Sequence, residues 1–231
     1  MTVSNVEKLL SWIEIHLPEV TESLNPPATS TELEHTESKL SVSFPPELKE
    51  LYLRHNGQNG KLASSLLNGA PVSEENIHLW RVIPGLFYGL EFLPLEEVVS
   101  RWESWVEALD NPYVSVDQMN LLARSHNPGH VKEVYINRKW IPITSGSDHL
   151  GLDFDPAPKG TIGQVINFGR DEDVKFVVAL SFGEFLNWYV LQLESGNYKI
   201  TEWQGGGTGQ EFVIKTPENQ HFLDAVRELF D

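Results

Sequence analysis

The spacing of apolar residues changes along the chain from a helical to an alternating pattern, and this change constrains the fold more than any other feature. Near the start, Val6, Leu10, Ile13 and Leu17 recur every three or four residues, as on one face of a helix. In the segment 150–155, apolar and other residues alternate with a period of two, which is typical of a half-buried strand. The sequence therefore predicts helices first and a cluster of strands later.

The predicted helix starts rest on local signals. A serine or threonine followed three residues later by glutamate forms a capping box, in which each side chain bonds to the other's backbone N–H. Three such pairs precede helical patterns: Ser4 with Glu7, Thr31 with Glu34, and Ser181 with Glu184. Thr216 and Pro217 are expected to begin a final helix, since proline is tolerated in a first turn.

Together these elements predict an α+β fold. The links between strands are mostly too short for parallel crossovers, so we expect a single sheet, largely antiparallel or mixed, with helices mainly on one face. Residues 58–75 are polar and rich in glycine, asparagine and serine, which predicts a loop, and 77–83 fits a short strand. The length suits one domain over residues 1–231, with 1–28 as an N-terminal helical extension.

The charge balance is strongly acidic and excludes several classes of partner. Against 17 Lys and Arg there are 33 Asp and Glu, which gives a net charge of −16 at pH 7. Such a surface repels the phosphates of nucleic acids and of anionic membranes, so we expect neither as a partner. A basic protein partner is electrostatically favoured.

The expected compartment is the cytoplasm. Cysteine is absent, so the sequence offers no disulfide, thiol nucleophile or thiolate metal ligand. The first residues lack the basic and apolar regions of a secretory signal. No stretch approaches the roughly 20 apolar residues of a membrane-spanning helix.

Two carboxylates in the strand cluster are the first candidates for chemistry. Asp153 and Asp155 are separated by one residue, so both side chains fall on one face of the predicted strand. Such a pair could hold a divalent cation, and the D-x-D pattern occurs in sugar-nucleotide transferases. The alternative is structural: Asp155 caps the turn before Pro156, while Asp153 faces water or a backbone amide. The pair has no accompanying phosphate-binding loop, which favours the structural role.

Other fragments that resemble catalytic motifs lack the context those motifs need. The glycine-rich segment 205–209 has no Gly-Lys-Ser/Thr ending and lies between two predicted strands, which indicates a hairpin loop. His126 and His130 are four residues apart, but Pro128 and Gly129 prevent a helix that would place both on one face. We therefore predict no catalytic residue, no metal site and no cofactor.

Several segments resemble, in their order, one known family. They are 44–52 with the Asn-Gly pair at 56–57, the strand segments 140–143, 150–156 and 160–166, and the strand-to-helix step at 178–186. Together they resemble the SUKH superfamily and, within it, the Smi/Knr family of cell-wall assembly regulators and their bacterial relatives. The resemblance implies an α+β binding domain without catalysis.

The resemblance implies two kinds of binding function. Bacterial members are similar to immunity proteins that neutralise a toxin, often a nuclease, and fungal members to regulators or scaffolds of glucan synthesis. Our main hypothesis is an immunity protein that occludes a basic toxin domain, since a nuclease carries positive charge to hold nucleic acid. A scaffold or regulator of cell-wall assembly is the alternative. A metal-dependent sugar transferase that uses Asp153 and Asp155 is a remote alternative.

The partner surface is expected around the signature strands and on an acidic helix. Seven residues are candidates for contacts with a protein partner: Trp140, Asp148, Asp153, Asp155, Gln164, Glu103 and Glu107. The alternative for Trp140 is a place in the core instead of at the surface. Trp102 and Trp105, at helical spacing beside the two glutamates, are more typical of a core than of a ligand platform.

Overall fold

A computed structural model describes residues 3–59, 81–113, 115–205, 207–218 and 221–230. Most of the loop predicted over 58–75 lies outside the described residues, and so do residues 77–80 of the strand predicted over 77–83. The described helices are α1 (Asn5–His16), α2 (Pro18–Ser23), α3 (Ser30–Leu40), α4 (Pro46–Arg54), α5 (Leu95–Asp110), α6 (Val116–Asn120), α7 (Phe182–Glu194) and α8 (Phe222–Phe230). The described strands are β1 (Arg81–Val82), β2 (Arg124–Ser125), β3 (Trp140–Pro142), β4 (Asp148–Asp153), β5 (Gln164–Gly169), β6 (Val174–Lys175), β7 (Val177–Ala179), β8 (Tyr198–Glu202) and β9 (Thr208–Ile214).

The helix starts follow local capping chemistry in two of the four predicted places. The Ser4 hydroxyl accepts the Glu7 N–H at 3.1 Å, and the Ser181 hydroxyl accepts the Glu184 N–H at 3.1 Å. Helix α3 begins two residues earlier than predicted, with a capping box between Thr29 and Glu32.

The final helix begins later than predicted, at Phe222. The Thr216 N–H donates to Asn197 Oδ1 at 2.9 Å, and the Asn197 side-chain amide donates to the Thr216 carbonyl at the same distance. These bonds tie Thr216 to the start of β8, so it does not begin the helix.

The strands form three sheets among the described residues, not the single sheet that was expected. The largest has the order β3-β4-β5-β7 and is antiparallel throughout. The second has the order β1-β9-β8, in which β1 runs parallel and β8 antiparallel to β9. The third is the short parallel pair of β2 and β6. Helix α7 separates β7 from β8 in the chain, and the β8–β9 hairpin pairs with β1 instead of extending the largest sheet. The α+β class holds.

The largest sheet is buried on both faces, which corrects the half-buried strand expected over 150–155. On one face, Leu150, Leu152 and Val165 join the main core, which α1, α4, α7 and α8 also line. On the other face, Trp140, Val131 and neighbouring apolar side chains form a second, smaller cluster. The segment that carries Val131 covers the face expected to meet water.

Helix α1 belongs to the predicted N-terminal extension, and its apolar face lies in the main core. Val6, Leu9 and Ile13 are buried there, and α1 packs against α4 and α7. The division of the chain at residue 28 stays a prediction. No helix within the described ranges has the length and apolar character needed to cross a bilayer.

Candidate functional site

The end of β4 carries a buried polar network around Asp153. This carboxylate accepts the Gln164 side-chain amide at 3.0 Å and the Asp155 backbone N–H at 2.9 Å. Asp153 is fully buried, and burial raises its pKa to about 6, although these hydrogen bonds lower it. The carboxylate therefore faces protein groups rather than solvent or a ligand.

Gln164 extends this network to two loops. Its side-chain oxygen accepts the Thr161 N–H at 3.0 Å, and its amide nitrogen donates to the His130 carbonyl at 3.0 Å. Trp140 lies next to the network, 2% exposed, with its ring 5.6 Å from that of Phe168. Asp153, Gln164 and Trp140 thus lie inside the protein, so their expected exposure to a partner is wrong. The covering segment around His130 and Val131 is the reason.

Asp155 lies at the surface but is engaged by neighbouring side chains. Its carboxylate forms an ion pair with the Lys132 ammonium at 2.5 Å and accepts the Asn137 amide at 3.1 Å. Burial would raise the pKa of Asp155, but the bonds from Lys132 and Asn137 bring it below its ordinary value. The two D-x-D carboxylates therefore serve internal contacts. No cluster of three or more metal-ligating side chains occurs within the described part of the chain.

A different surface, beside α5, has the features of a binding site. We name it the Trp105 groove; it has a volume of about 330 Å³. Its lining is mostly apolar and comes from α5, α6, the segment before β3 and the β5–β6 turn: Ser104, Trp105, Ala108, Met119, Tyr135, Ile136 and Arg170. Trp105 is half-buried rather than a core residue, which corrects its expected place.

Trp105 is held in place by a buried histidine. Its indole N–H donates to His149 Nε2 at 3.2 Å, while His149 Nδ1 lies 2.7 Å from the Thr144 carbonyl oxygen. A carbonyl can only accept, so Nδ1 carries the proton and Nε2 is the acceptor for the indole. Burial lowers the pKa of His149 to about 4, which keeps this neutral form at pH 7.

Tyr135 also lines the groove, in contact with Trp105, and is fixed at three points. Its backbone N–H donates to Asn120 Oδ1 at 2.7 Å, and its hydroxyl donates to the Arg170 carbonyl at 3.0 Å. The Lys175 ammonium lies 5.5 Å from the centre of its ring. The rings of Tyr135 and Trp105 are 5.9 Å apart. Two positioned aromatic side chains therefore shape the groove before any partner arrives.

The three remaining candidates lie on α5, which carries Glu103 and Glu107, and at the start of β4, which carries Asp148. Glu107 is exposed and lies one helical turn after Ser104, at the edge of the groove. The Asp148 carboxylate contacts the β5–β6 turn, in which it accepts the Asp171 backbone N–H at 3.0 Å. Glu103 instead pairs with Lys39 of α3 at 2.7 Å. It belongs to a separate groove of about 640 Å³ between α3 and α5.

The sequence did not predict most of the groove lining, including Tyr135 and Met119, or the role of His149 in holding Trp105. One signal was present in the run from Met119 to Leu122, three of whose four residues are large and apolar in an otherwise polar segment. In the structure Met119, Leu121 and Leu122 are 37%, 70% and 62% exposed. Such exposure in sequence neighbours marks a contact surface more often than an isolated apolar residue does.

Comparisons with known proteins place the chain in a family. The family described as SMI1 / KNR4 (SUKH-1) matches residues 27–188. The "Cell wall assembly regulator SMI1" of Saccharomyces cerevisiae is 29% identical over 85% of this chain and 42% of its own length. The "Glucan synthesis regulatory protein" of Neurospora crassa is 28% identical over 95% of this chain and 43% of its own length. The "Cell wall biosynthesis/cell cycle regulator smi1" of Schizosaccharomyces pombe is 28% identical over 83% of this chain and 36% of its own length.

The chain thus spans less than half the length of each of these relatives. All three are fungal, and their names describe regulators rather than immunity proteins or enzymes. They support the alternative hypothesis, a cell-wall regulator, better than the main hypothesis of an immunity protein, and they give no support to the bacterial branch. The family profile covers more than half of the chain, and the chain belongs to the SMI1 / KNR4 family (SUKH-1).

Proposed function

We propose that the chain is a cytoplasmic, non-catalytic binding module that acts in the regulation of cell-wall assembly, through a protein partner. One observation carries the proposal: the chain matches, over most of its own length, proteins named as regulators of cell-wall assembly or glucan synthesis. The absence of cysteine fits a reducing compartment.

The contacts of the D-x-D carboxylates support a non-catalytic role. A metal-dependent transferase needs free carboxylate oxygens that converge on the cation. Here the Asp153 oxygens accept from Gln164 and from the backbone of Asp155, and the Asp155 oxygens contact Lys132 and Asn137. A cation would have to displace an ammonium group and break a buried hydrogen bond.

A chimera tests the regulatory role. In Saccharomyces cerevisiae, this chain would replace the matching segment of the cell wall assembly regulator SMI1. We expect the chimera to restore growth on a dye that binds cell-wall polymers, and to restore glucan content. The matched control carries Leu152→Asp, which puts a charge into the main core and abolishes the fold. A chimera that accumulates normally but restores neither property would contradict the proposal.

A second variant separates binding from catalysis. In the chimera, Asp155→Ala removes one D-x-D carboxylate at a half-exposed position, so the fold is retained. We expect growth and glucan content equal to those of the unmodified chimera, because the bonds of the Asp155 carboxylate to Lys132 and Asn137 lie at the surface. Loss of both, at normal protein level, would instead support the transferase alternative.

A further inference from the structure

We propose that the Trp105 groove docks a segment of a partner protein that places one or two large apolar side chains beside lysine or arginine. The inference names the partner chemistry for the binding module proposed above and rests on that function. Its support comes from the size and lining of the groove, from its rigidity and from the charges at its edge.

The lining of the groove fits apolar side chains. Trp105, Ala108, Met119 and Ile136 supply mainly carbon to its surface. Its volume of about 330 Å³ is at the lower end for sites that enclose a small molecule, and it suits side chains of a peptide better than a sugar nucleotide. Leu121 and Leu122, two and three residues after Met119, are also exposed apolar side chains.

Two aromatic side chains of the groove are held by hydrogen bonds, which lowers the entropy lost on binding. Trp105 is fixed by the chain of hydrogen bonds through His149 to the Thr144 carbonyl. Tyr135 is fixed by Asn120 and by the Arg170 carbonyl. Aromatic side chains that are already ordered offer a large contact area at little entropic cost, which is why they dominate the energy of many interfaces.

Charges of both signs lie around the groove, and carboxylates outnumber the cations Arg170 and Lys175. Burial and the carboxylates of Asp171, Asp173 and Asp148 raise the pKa of Tyr135, against the opposing effect of Arg170. The Arg170 guanidinium is 3.3 Å from the Asp171 carboxylate, so these two charges offset each other and the negative excess comes from Asp148, Asp173 and Glu107. Glu107, at the α5 edge, is exposed and forms no ion pair among the described residues. A cationic group beside the apolar side chain would therefore be attracted.

A second copy of this chain is a poorer occupant than a basic partner. A symmetric contact brings the same surface of both copies together, so Glu107 and the aspartates of one would face those of the other. The net charge of −16 adds repulsion between copies.

A peptide selection tests the inference without assuming a partner. A displayed library of random peptides is selected against the full chain, and an enriched peptide is synthesised with a fluorophore for anisotropy titration. We expect enrichment of leucine, phenylalanine or tryptophan next to lysine or arginine, and weaker binding as salt rises. Absence of enrichment, or enrichment of acidic or uncharged sequences, overturns the inference.

Two exposed positions link the selected peptide to the groove. Met119→Ser removes part of the apolar lining, and Glu107→Lys reverses the charge at the edge. We expect each to weaken binding by about tenfold. The matched controls lie on α1, where Ile15 is 75% exposed and Glu14 is exposed, so Ile15→Ser and Glu14→Lys should leave the affinity unchanged. Thermal melting of all four variants verifies that the fold is retained.

The outcomes separate this inference from the proposed function. Equal affinity for all four variants overturns the groove as the docking site. So does a change in sedimentation on Met119→Ser without a change in peptide affinity, since the groove would then be a contact between copies. A rescuing chimera with a groove that binds no peptide leaves the proposed function standing alone. A groove that binds as expected in a chimera that fails to rescue contradicts only the function.

Discussion

Replacement of His149 by glutamine tests the buried contact that holds Trp105. His149 lies on β4, almost fully buried against Trp105 of α5, and both of its ring nitrogens are used in the neutral form. Protonation would place a second N–H on Nε2, opposite the indole N–H, and the hydrogen bond would be lost. A fall in pH should therefore lower the free energy of unfolding through the protonation of His149.

The pKa of His149 sets the size of this cost. Burial lowers the pKa from 6.5 to about 4, so on acidification the unfolded chain takes up the proton first. The favourable contribution of neutral His149 is present above pH 6.5 and is lost as the pH falls towards 4. Linkage gives a loss of about 2 kcal/mol between pH 7 and pH 5, and about 3 kcal/mol below pH 4.

Two buried carboxyl groups act in the opposite direction and must be separated from this effect. Burial raises the pKa of Asp153 to about 6 and that of Glu172 to about 7. A group whose pKa is raised by folding contributes stability at low pH and loses it as the pH rises. As the pH falls from 7 to 5, these two groups raise the stability of the fold, while His149 lowers it. The stability of the unmodified protein alone therefore cannot isolate the histidine.

The comparison of two proteins isolates it. Urea unfolding is measured at pH 5, 6 and 7 for the unmodified chain and for His149→Gln, and the gap in free energy of unfolding is followed with pH. The gap should shrink by about 2 kcal/mol from pH 7 to pH 5, because only the unmodified chain carries the His149 contribution. His35→Gln, at an exposed position of α3, is the matched control. A gap for His149→Gln that stays constant to within about 0.5 kcal/mol would refute the buried neutral histidine.

Further predictions concern the signature strands. Asp153→Ala should lower the free energy of unfolding by about 2–3 kcal/mol, because Gln164 and a backbone N–H lose their buried acceptor, whereas Asp155→Ala should cost less than about 1 kcal/mol; urea titration of both measures the contrast. Gly151→Ala should lower the stability by about 2 kcal/mol or more, since its Cβ would lie 2.5 Å from the Ile141 carbonyl oxygen; an unchanged melting temperature would contradict that packing. Millimolar Mn²⁺ should leave the melting temperature unchanged, and a saturable rise would show that the D-x-D carboxylates are free to bind metal.

Local chemistry identified two of the four predicted helix starts. Ser4 and Ser181 cap their helices as expected. At α3, however, both Thr29 and Thr31 are followed three residues later by glutamate, so the local pattern fits either start. The structure uses Thr29, directly after the buried Ala28, whose N–H donates to the Tyr52 carbonyl of α4. A contact with a distant helix decides between two equivalent caps, and such contacts are not visible in a local pattern.

The same limit explains the sheets. Alternation identifies a strand but not its neighbour. It predicts a strand on each side of the glycine-rich segment 205–209, but not that this hairpin of β8 and β9 pairs with β1 in a sheet of its own. In β4, Asp153 and His149 are four residues apart and therefore share a face of the strand. Whether that face meets water depends on the segment around Val131, which folds over it from elsewhere in the chain.

One face of β4 therefore links the family signature to the proposed docking groove. His149 on that face holds Trp105, Gly151 leaves room for the Phe168 ring, and Asp153 anchors the two covering loops through Gln164. We therefore expect a substitution at any of these positions to change the stability and, with it, the shape of the groove. A loss of partner binding on mutation of Asp153 would accordingly not identify it as a contact residue. Only positions that lie on the groove and bear no part of the fold, Met119 and Glu107, can separate recognition from folding.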